Sequence, residues 1–97
     1  MKITWSTLSR NDLRAIRDYI ARDSDHYARL QVERIIQRIE RTASMPLTGH
    51  PVHEFKDSNL REVHEGNYRI IFDIQPAELR VVTIVHMKQR LRRGKIH

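Results

Sequence analysis

Four residues with side chains suited to acid–base or phosphate chemistry lie in the second half of the chain: Glu62, His64, Arg69 and His86. A carboxylate or an imidazole can move a proton near neutral pH, and a guanidinium can hold a phosphate through two parallel hydrogen bonds. Together they are the inventory of a ribonuclease that directs a 2′-hydroxyl onto its own phosphate. The same residue types also occur on any solvated face of a small sheet, so the pattern fits either a site or a plain polar surface.

A β-hairpin would decide which of these side chains share a face. Gly66 and Asn67 separate two strand-like segments, residues 60–65 and 68–74, and a two-residue linker of this kind favours a tight hairpin turn. The predicted cross-strand pairs are Glu65 with Tyr68, His64 with Arg69, Val63 with Ile70 and Glu62 with Ile71. Because side chains alternate along a strand, one face would carry Val63, Tyr68, Ile70, Phe72 and Ile74. The opposite, exposed face would carry Glu62, His64, Arg69, Ile71 and Asp73.

Two helices are predicted before this hairpin. Ser9 and Asp12 form a pattern typical of a helix start, and the first helix then carries apolar residues at three- and four-residue steps: Leu13, Ile16, Tyr19 and Ile20. The Asp-Ser-Asp run at 23–25 predicts the end of that helix and the start of a second one, whose apolar stripe is Ala28, Val32, Ile35, Ile36, Ile39 and Ala43. A loop rich in proline and glycine follows at residues 45–51.

Strands at both ends complete the predicted fold. Residues 2–6 alternate, with Ile3 and Trp5 on one side, and residues 79–85 are β-branched enough to form a buried central strand. The element order is therefore β-α-α-β-β-β. Since neither apolar helix stripe can remain in water, we expect an α+β fold in which a two-helix hairpin packs on one face of a small, mainly antiparallel, twisted sheet. The other face of the sheet would be partly open.

Composition limits the class of protein. The chain has 97 residues, of which 39% are hydrophobic, and no internal repeat, so we expect one domain spanning residues 1–97. It has no cysteine, which excludes disulfides and thiolate metal sites, and its six histidines lack the spacing of metal ligands, so neither a metal nor a cofactor is expected. No segment resembles a signal peptide or a membrane span, which predicts a cytoplasmic protein without a membrane partner.

The positive charge is concentrated at the C-terminal end. The formal net charge is +6, and residues 86–97 contain no acid but five cations: Lys88, Arg90, Arg92, Arg93 and Lys95. The rest of the chain is close to neutral. A basic tail of this kind attracts polyanions, whether nucleic acid, a ribosome or an acidic protein. A solvated terminus without a partner would have the same composition.

Several short motifs follow one another in a recognisable order: Asp12-Leu13-x-x-Ile16-x-Asp18-Tyr19-Ile20-Ala21, Pro46-Leu47-x-Gly49-x-Pro51-Val52, Leu60-Arg61-Glu62-Val63, Tyr68-Arg69-Ile70-Ile71-Phe72 and Val82-x-Ile84-Val85-His86. Their order and spacing resemble the RelE/ParE superfamily of toxins from bacterial type II toxin–antitoxin systems, over nearly the whole chain. The resemblance implies a toxin produced beside a cognate antitoxin, and an acidic, partly disordered antitoxin that folds on binding would suit a basic toxin.

Members of this superfamily act in two ways, so the resemblance implies two alternatives. RelE-type members cut messenger RNA in the ribosomal A site with an arginine that Arg69 matches, but the lysines of their preceding strand are replaced here by approximately Leu60 and Glu62. Their late tyrosine has no counterpart in residues 88–97. ParE-type members inhibit DNA gyrase without hydrolysis. Other ribosome-dependent members use a glutamate, an arginine and a histidine, for which the candidates are Glu54 or Glu62, Arg61 or Arg69, and His86.

We therefore expect a ParE-type toxin of the plasmid-stabilization kind, which arrests growth by inhibiting DNA gyrase and binds its target through Arg61, Arg69 and the basic tail. The alternative is a ribosome-dependent mRNA endoribonuclease whose catalytic residues would be Arg69, His86, Glu62 and His64. A third alternative is a non-toxic, basic accessory protein that binds nucleic acid.

Overall fold

A five-stranded sheet and two long helices make up the computed structural model, which describes residues 1–91. The chain runs from strand β1 (Lys2–Trp5) into helix α1 (Thr7–Ala21) and helix α2 (Asp25–Ser44). Two 3₁₀ turns, Pro46–Thr48 and His53–Phe55, flank the short strand β2 (His50–Pro51). Three longer strands follow: β3 (Arg61–Glu65), β4 (Tyr68–Ile74) and β5 (Glu78–His86). This element order confirms the predicted β-α-α-β-β-β plan, to which the two-residue strand β2 is an addition.

The strand order in the sheet is β1-β5-β4-β3-β2, so β5 lies between β1 and β4 as predicted for a central strand. Strand β1 is parallel to β5 and the other neighbours are antiparallel. The β3–β4 hairpin has the predicted register, with His64 opposite Arg69 and Glu62 opposite Ile71. Gly66 has φ +58° at the first central position of the turn, a conformation that favours glycine and suits a two-residue hairpin connection.

The start of α1 differs from the prediction. Ser6, not Ser9, is the N-cap: its side chain accepts a hydrogen bond from the Ser9 amide at 2.9 Å and donates to the Val82 carbonyl at 2.7 Å. The helix therefore begins directly after β1. Asp12, predicted as part of a capping box, instead accepts hydrogen bonds from Thr83 Oγ1 and from the Ile84 amide of β5. The second helix begins as predicted, with Ser24 as N-cap.

The main core lies between the helices and one face of the sheet. Its buried side chains are Ile35, Ile39, Ala43, Val63, Ile70, Phe72, Leu79, Val81 and Ile84. Leu13 and Ile16 of α1, together with Trp5 and Tyr68, pack against them. Tyr19 is the exception in the predicted apolar stripe of α1, because it is 67% exposed. Within residues 1–91, no helix has the length and apolarity needed to cross a membrane.

The opposite face of the sheet is covered, and the prediction of a partly open face is wrong. Val52, Ile71, Val85 and Leu91 are buried there in a second apolar cluster, against which Phe55 and Leu60 pack. The cover comes from the 52–60 segment and from the chain beyond β5, which returns across the sheet as far as Leu91. Three polar residues predicted to be exposed on this face are buried as a result: Glu62, Arg69 and Asp73.

Candidate functional site

Arg69, the second residue of β4, lies at the centre of a buried ionic network on the covered face. Its Nε donates to both carboxylate oxygens of Glu62 at 3.2 Å, and its Nη2 donates to Glu62 Oε2 at 2.6 Å. Glu54 receives two further bonds, from Nη1 at 2.8 Å and from Nη2 at 2.7 Å. Nη1 also donates to the Gln89 carbonyl at 3.3 Å. All five N–H donors of the guanidinium are therefore engaged.

Separate elements deliver these groups to one place. The hairpin register places Glu62 next to Arg69. Glu62 lies on β3 two residues before His64, which is directly opposite Arg69 on β4, so the two side chains share a face. Glu54 comes from the 3₁₀ turn that carries the covering segment over the sheet. The side chains of Glu54, Arg69 and Glu62 are only 3%, 6% and 10% exposed. Charges removed from water to this degree are tolerated because each finds an opposite charge and hydrogen-bond partners.

The network holds both carboxylates in their ionised form. Hydrogen bonds from Arg69 outweigh burial and lower the pKa of Glu54 to about 2. Burial opposes ionisation of Glu62, but hydrogen bonds from Arg69 and His64 bring its pKa below the ordinary value. The hydrogen bonds to Glu54 and Glu62 raise the pKa of Arg69 despite its burial. The group of three therefore carries a net charge of −1 at neutral pH.

A histidine lies at each end of the network. His64 Nε2 is 2.6 Å from Glu62 Oε1, and the His64 side chain is 43% exposed. Because an ionised carboxylate can only accept hydrogen bonds, Nε2 must carry the proton in this contact. His53 Nδ1 is 3.3 Å from Glu54 Oε1, with the His53 side chain 79% exposed. The chain of contacts thus runs from one solvent-facing imidazole through the buried arginine to the other.

The predicted catalytic residues do not all meet. Glu62, His64 and Arg69 share the covered face, whereas His86 is paired with Tyr68 and lies on the helix side of the sheet. There His86 packs edge-to-face on the Tyr68 ring at 5.7 Å between centroids. It borders a groove of about 540 Å³ between α1 and β5, whose other lining residues include Asp12, Ile16, Tyr19 and Gln31. The sheet therefore separates His86 from the arginine.

The predicted binding residues also divide. Arg61 is paired with Phe72 on the helix side and its Nη2 donates to the carbonyls of Leu47 and Gly49, so Arg61 and Arg69 do not form one surface. Lys88 and Arg90 are exposed. The remaining predicted binding residues lie outside the described part of the chain: Arg92, Arg93 and Lys95.

The geometry limits the chemistry that the network can perform. A phosphate could approach the Arg69 guanidinium only by displacing Glu54 or Glu62, both ionised and both negative. Of the two histidines, His64 has the shorter contact with a carboxylate, 2.6 Å against 3.3 Å for His53, and its partly exposed ring could accept a proton from a bound group. Among the described residues, no group of histidines, aspartates and glutamates is arranged to hold a metal ion.

The family resemblance offered Glu54 and Glu62 as alternative acids, but the sequence did not predict that both bind Arg69, or that the backbone of Gln89 and Leu91 joins them. Glu54 lies in a 3₁₀ turn, so no strand alternation in the sequence predicts the direction of its side chain. Val52 and Leu91 gave no clear signal either, because each is a single apolar residue in a polar segment and such residues are also common on ordinary surfaces.

Comparison with known proteins identifies a family and a solved structure with a similar fold. Residues 3–91 match the family model of the ParE toxin of the type II toxin–antitoxin system parDE. A solved structure described as the chromosomal ParDE toxin–antitoxin system from P. aeruginosa superposes with a TM-score of 0.73 and 19% sequence identity, covering 89% of this chain and 95% of that chain. A search of curated proteins gave no match. At this identity the structural similarity supports the fold, whereas the family match extends over nearly all described residues.

Proposed function

Because the chain belongs to the ParE family of toxins from type II toxin–antitoxin systems, we propose that it arrests bacterial growth by inhibiting DNA gyrase. Gyrase inhibition is a binding function and needs no residue that cleaves a substrate. The contact surface in this proposal is the basic C-terminal segment from Lys88 onward, which is the most cationic part of the chain. Arg61 and Arg69 contribute to the fold of the toxin in this proposal, because both guanidinium groups are occupied within it.

The observation that carries the choice of gyrase over RNA is the saturation of Arg69. In the ribonuclease alternative Arg69 would stabilise the negative charge that develops on the scissile phosphate. Here the guanidinium is 6% exposed and bonded to two ionised carboxylates, so it offers neither free donors nor a positive field. His86, the other predicted catalytic group, lies on the far side of the sheet. The predicted ribonuclease site is thus neither assembled nor positively charged.

A cognate antitoxin completes the proposal. With a formal net charge of +6, the toxin would attract an acidic, partly disordered partner, which would fold on its surface and block the target contact. The pair would stabilise a plasmid or chromosomal locus by poisoning cells that stop producing the antitoxin. Because gyrase acts on the bacterial chromosome, the proposed site of action is the cytoplasm.

Pulse-labelling of induced cells tests this function. Incorporation of labelled thymidine and of labelled amino acids is compared during the first minutes after toxin expression begins. Early loss of DNA synthesis while translation continues supports gyrase as the target. An early collapse of translation contradicts it, and no early effect on either process would favour the non-toxic accessory protein.

One observation favours the ribonuclease as a second candidate: the exposed His64 and its 2.6 Å contact with Glu62. In this alternative His64 acts as a general base that Glu62 orients, in the manner of other carboxylate–imidazole pairs. Messenger RNA cleavage on purified ribosomes is the measurement, with His64→Ala as the variant and His26→Ala, on the exposed start of α2, as the matched control. Cleavage that His64→Ala abolishes and His26→Ala retains would establish this alternative.

A further inference from the structure

The chain beyond β5 continues as an ordered segment, residues 87–91, held by its own backbone. The Met87 amide donates to the Asn67 carbonyl at 2.7 Å, and the Lys88 amide donates to His86 Nδ1 at 3.1 Å. The Gln89 amide donates to the His86 carbonyl at 2.9 Å. Three consecutive amides are therefore bonded to the end of the hairpin, which turns the chain back toward the covered face.

The buried ionic network holds the same segment on both sides of Arg90. Arg69 Nη1 donates to the carbonyl of Gln89, the residue before Arg90, at 3.3 Å. The amide of Leu91, the residue after it, donates to Glu54 Oε2 at 2.9 Å. The Leu91 side chain is 2% exposed and closes the second apolar cluster. Glu54 and Arg69 thus pair with each other and with the backbone of this segment.

The side chains between these anchors remain in solvent. Lys88 and Arg90 are exposed, two residues apart, and neither takes part in an ion pair among the described residues. Met87 beside them is 42% exposed. A backbone held by hydrogen bonds therefore presents two cations and an apolar side chain to solvent.

We propose that the Glu54–Arg69–Glu62 network is a positioning device that holds Lys88 and Arg90 in place to bind an acidic surface on the target protein. This inference rests on the proposed function, because it assigns the target contact to the basic segment. A protein is favoured over a nucleic acid because this short segment exposes both Met87 and Arg90, and methionine and arginine are enriched at protein interfaces. Nucleic-acid surfaces rely instead on broad cationic tracks and aromatic stacking.

Positioning matters for binding because ordering a flexible segment reduces affinity. Immobilising one long side chain on binding costs about 0.5–1.5 kcal/mol, and a segment that is already ordered avoids much of that cost. Releasing residues 87–91 should therefore weaken target binding by roughly tenfold, the equivalent of about 1.4 kcal/mol. The charge contacts made in the complex would be unchanged, so the salt dependence of binding should stay that of the wild type.

The test compares Glu54→Gln with Glu40→Gln, the same change on the exposed side of α2. Two quantities are measured: the rate of trypsin cleavage after Lys88 and Arg90 in the folded protein, and the toxin concentration that inhibits supercoiling of a relaxed plasmid by purified DNA gyrase. Glu54→Gln should accelerate both cleavages and weaken inhibition about tenfold, with an unchanged slope against salt. Glu40→Gln should match the wild type in both.

Two further variants separate positioning from loss of stability. Leu91→Ala loosens the same segment without changing any charge, and it should reproduce both effects of Glu54→Gln. Ile39→Val destabilises the main core by about 0.5–1.5 kcal/mol and should leave inhibition unchanged at a temperature where the protein is folded.

The double variant Lys88→Gln, Arg90→Gln should weaken inhibition and also flatten its salt dependence.

The outcomes are distinguishable. Faster cleavage in Glu54→Gln with wild-type inhibition would reduce the network to a structural role and overturn the proposal, as would unchanged cleavage. The double variant could lose the binding of duplex DNA that the wild type shows and still inhibit gyrase. That result would identify nucleic acid as the partner and overturn the protein assignment. A wild-type toxin that leaves gyrase active would refute the proposed function itself, whereas the cleavage rates would still decide whether the network holds the segment.

Discussion

The two faces of the sheet are both buried, but by different means. On the helix side, α1 and α2 cover the sheet with repeated apolar residues, and the buried residues of that core cluster are all apolar. On the opposite side, within residues 1–91, the cover is a 3₁₀ turn and the chain after β5, which pack Val52 and Leu91 onto Ile71 and Val85 beside an ionic network around Arg69. The helix side depends on the hydrophobic effect over a large area. The covered face depends on a few single residues and on the pairing of charges.

The largest expected effect of this difference is at Arg69. Arg69→Ala leaves the carboxylates of Glu54 and Glu62 buried without a cation, which should lower the free energy of unfolding by about 3–5 kcal/mol. Urea unfolding of the wild type and Arg69→Ala at pH 7 measures this loss. A small domain of this size has about 5–15 kcal/mol in total, so the variant should be close to unfolding at 37 °C.

Arg80 is the matched control for Arg69, because it also pairs with an acid on a neighbouring strand. Its Nη2 lies 2.7 Å from Asp73 Oδ2, but its side chain is 51% exposed. Arg80→Ala leaves one buried carboxylate, Asp73, which keeps a hydrogen bond from Gln75 Nε2 at 3.1 Å, so the loss should be smaller than for Arg69→Ala, at about 1–3 kcal/mol. Equal losses for the two arginines would show that burial of the network contributes nothing, and the contrast between the faces would fail.

The next effect compares one apolar residue from each face. Ile39→Ala creates a cavity between helix and sheet and should cost about 2–5 kcal/mol. Leu91→Ala should lie at the lower end of that range, because Leu91 lies in an irregular segment that can shift into the space more readily than a helix packed on the sheet. Thermal and urea unfolding of the two variants provide the comparison. A larger loss for Leu91→Ala would mean that the covered face, not the helix side, is the main source of stability.

The helix side was predictable from the sequence because its apolar residues recur at regular spacing. Apolar residues at helical spacing in α2 identified Ile35, Ile39 and Ala43 as core residues. Alternation in β4 and a two-residue turn fixed the hairpin register, including the faces of Val63 and Ile70. In each case many residues repeat the same signal, so one misplaced side chain such as Tyr19 did not change the prediction.

The covered face was not predictable in the same way. Its cover consists of irregular segments, in which Val52 and Leu91 each provide a single apolar residue without a period. The register correctly placed Glu62 and Arg69 on one face, but their burial depends on Glu54, which is 15 residues from Arg69 in the chain. Whether an arginine on a sheet is a phosphate ligand or a buried cation is decided by such distant partners. The residue types alone are the same in both cases.

The effect most specific to the covered face is the pH dependence of stability. The pKa of Glu54 falls from its ordinary value of 4.5 to about 2 in the folded protein, because Arg69 bonds to the carboxylate. A carboxyl group with a lowered pKa contributes stability that is complete above pH 4.5 and is lost as the pH falls toward 2. The loss per group is at most about 1.4 kcal/mol for each pH unit in that window.

Glu54→Gln removes this titrating group and leaves the helix side unchanged. The free energy of unfolding of the wild type should exceed that of Glu54→Gln most at pH 6, and the difference should shrink steadily between pH 4.5 and pH 3. Urea unfolding at these pH values measures both curves. If the free energies of unfolding of the wild type and of Glu54→Gln change in parallel with pH, ionisation of Glu54 does not stabilise the folded protein. The ionic network would then be a consequence of the cover and not one of its causes.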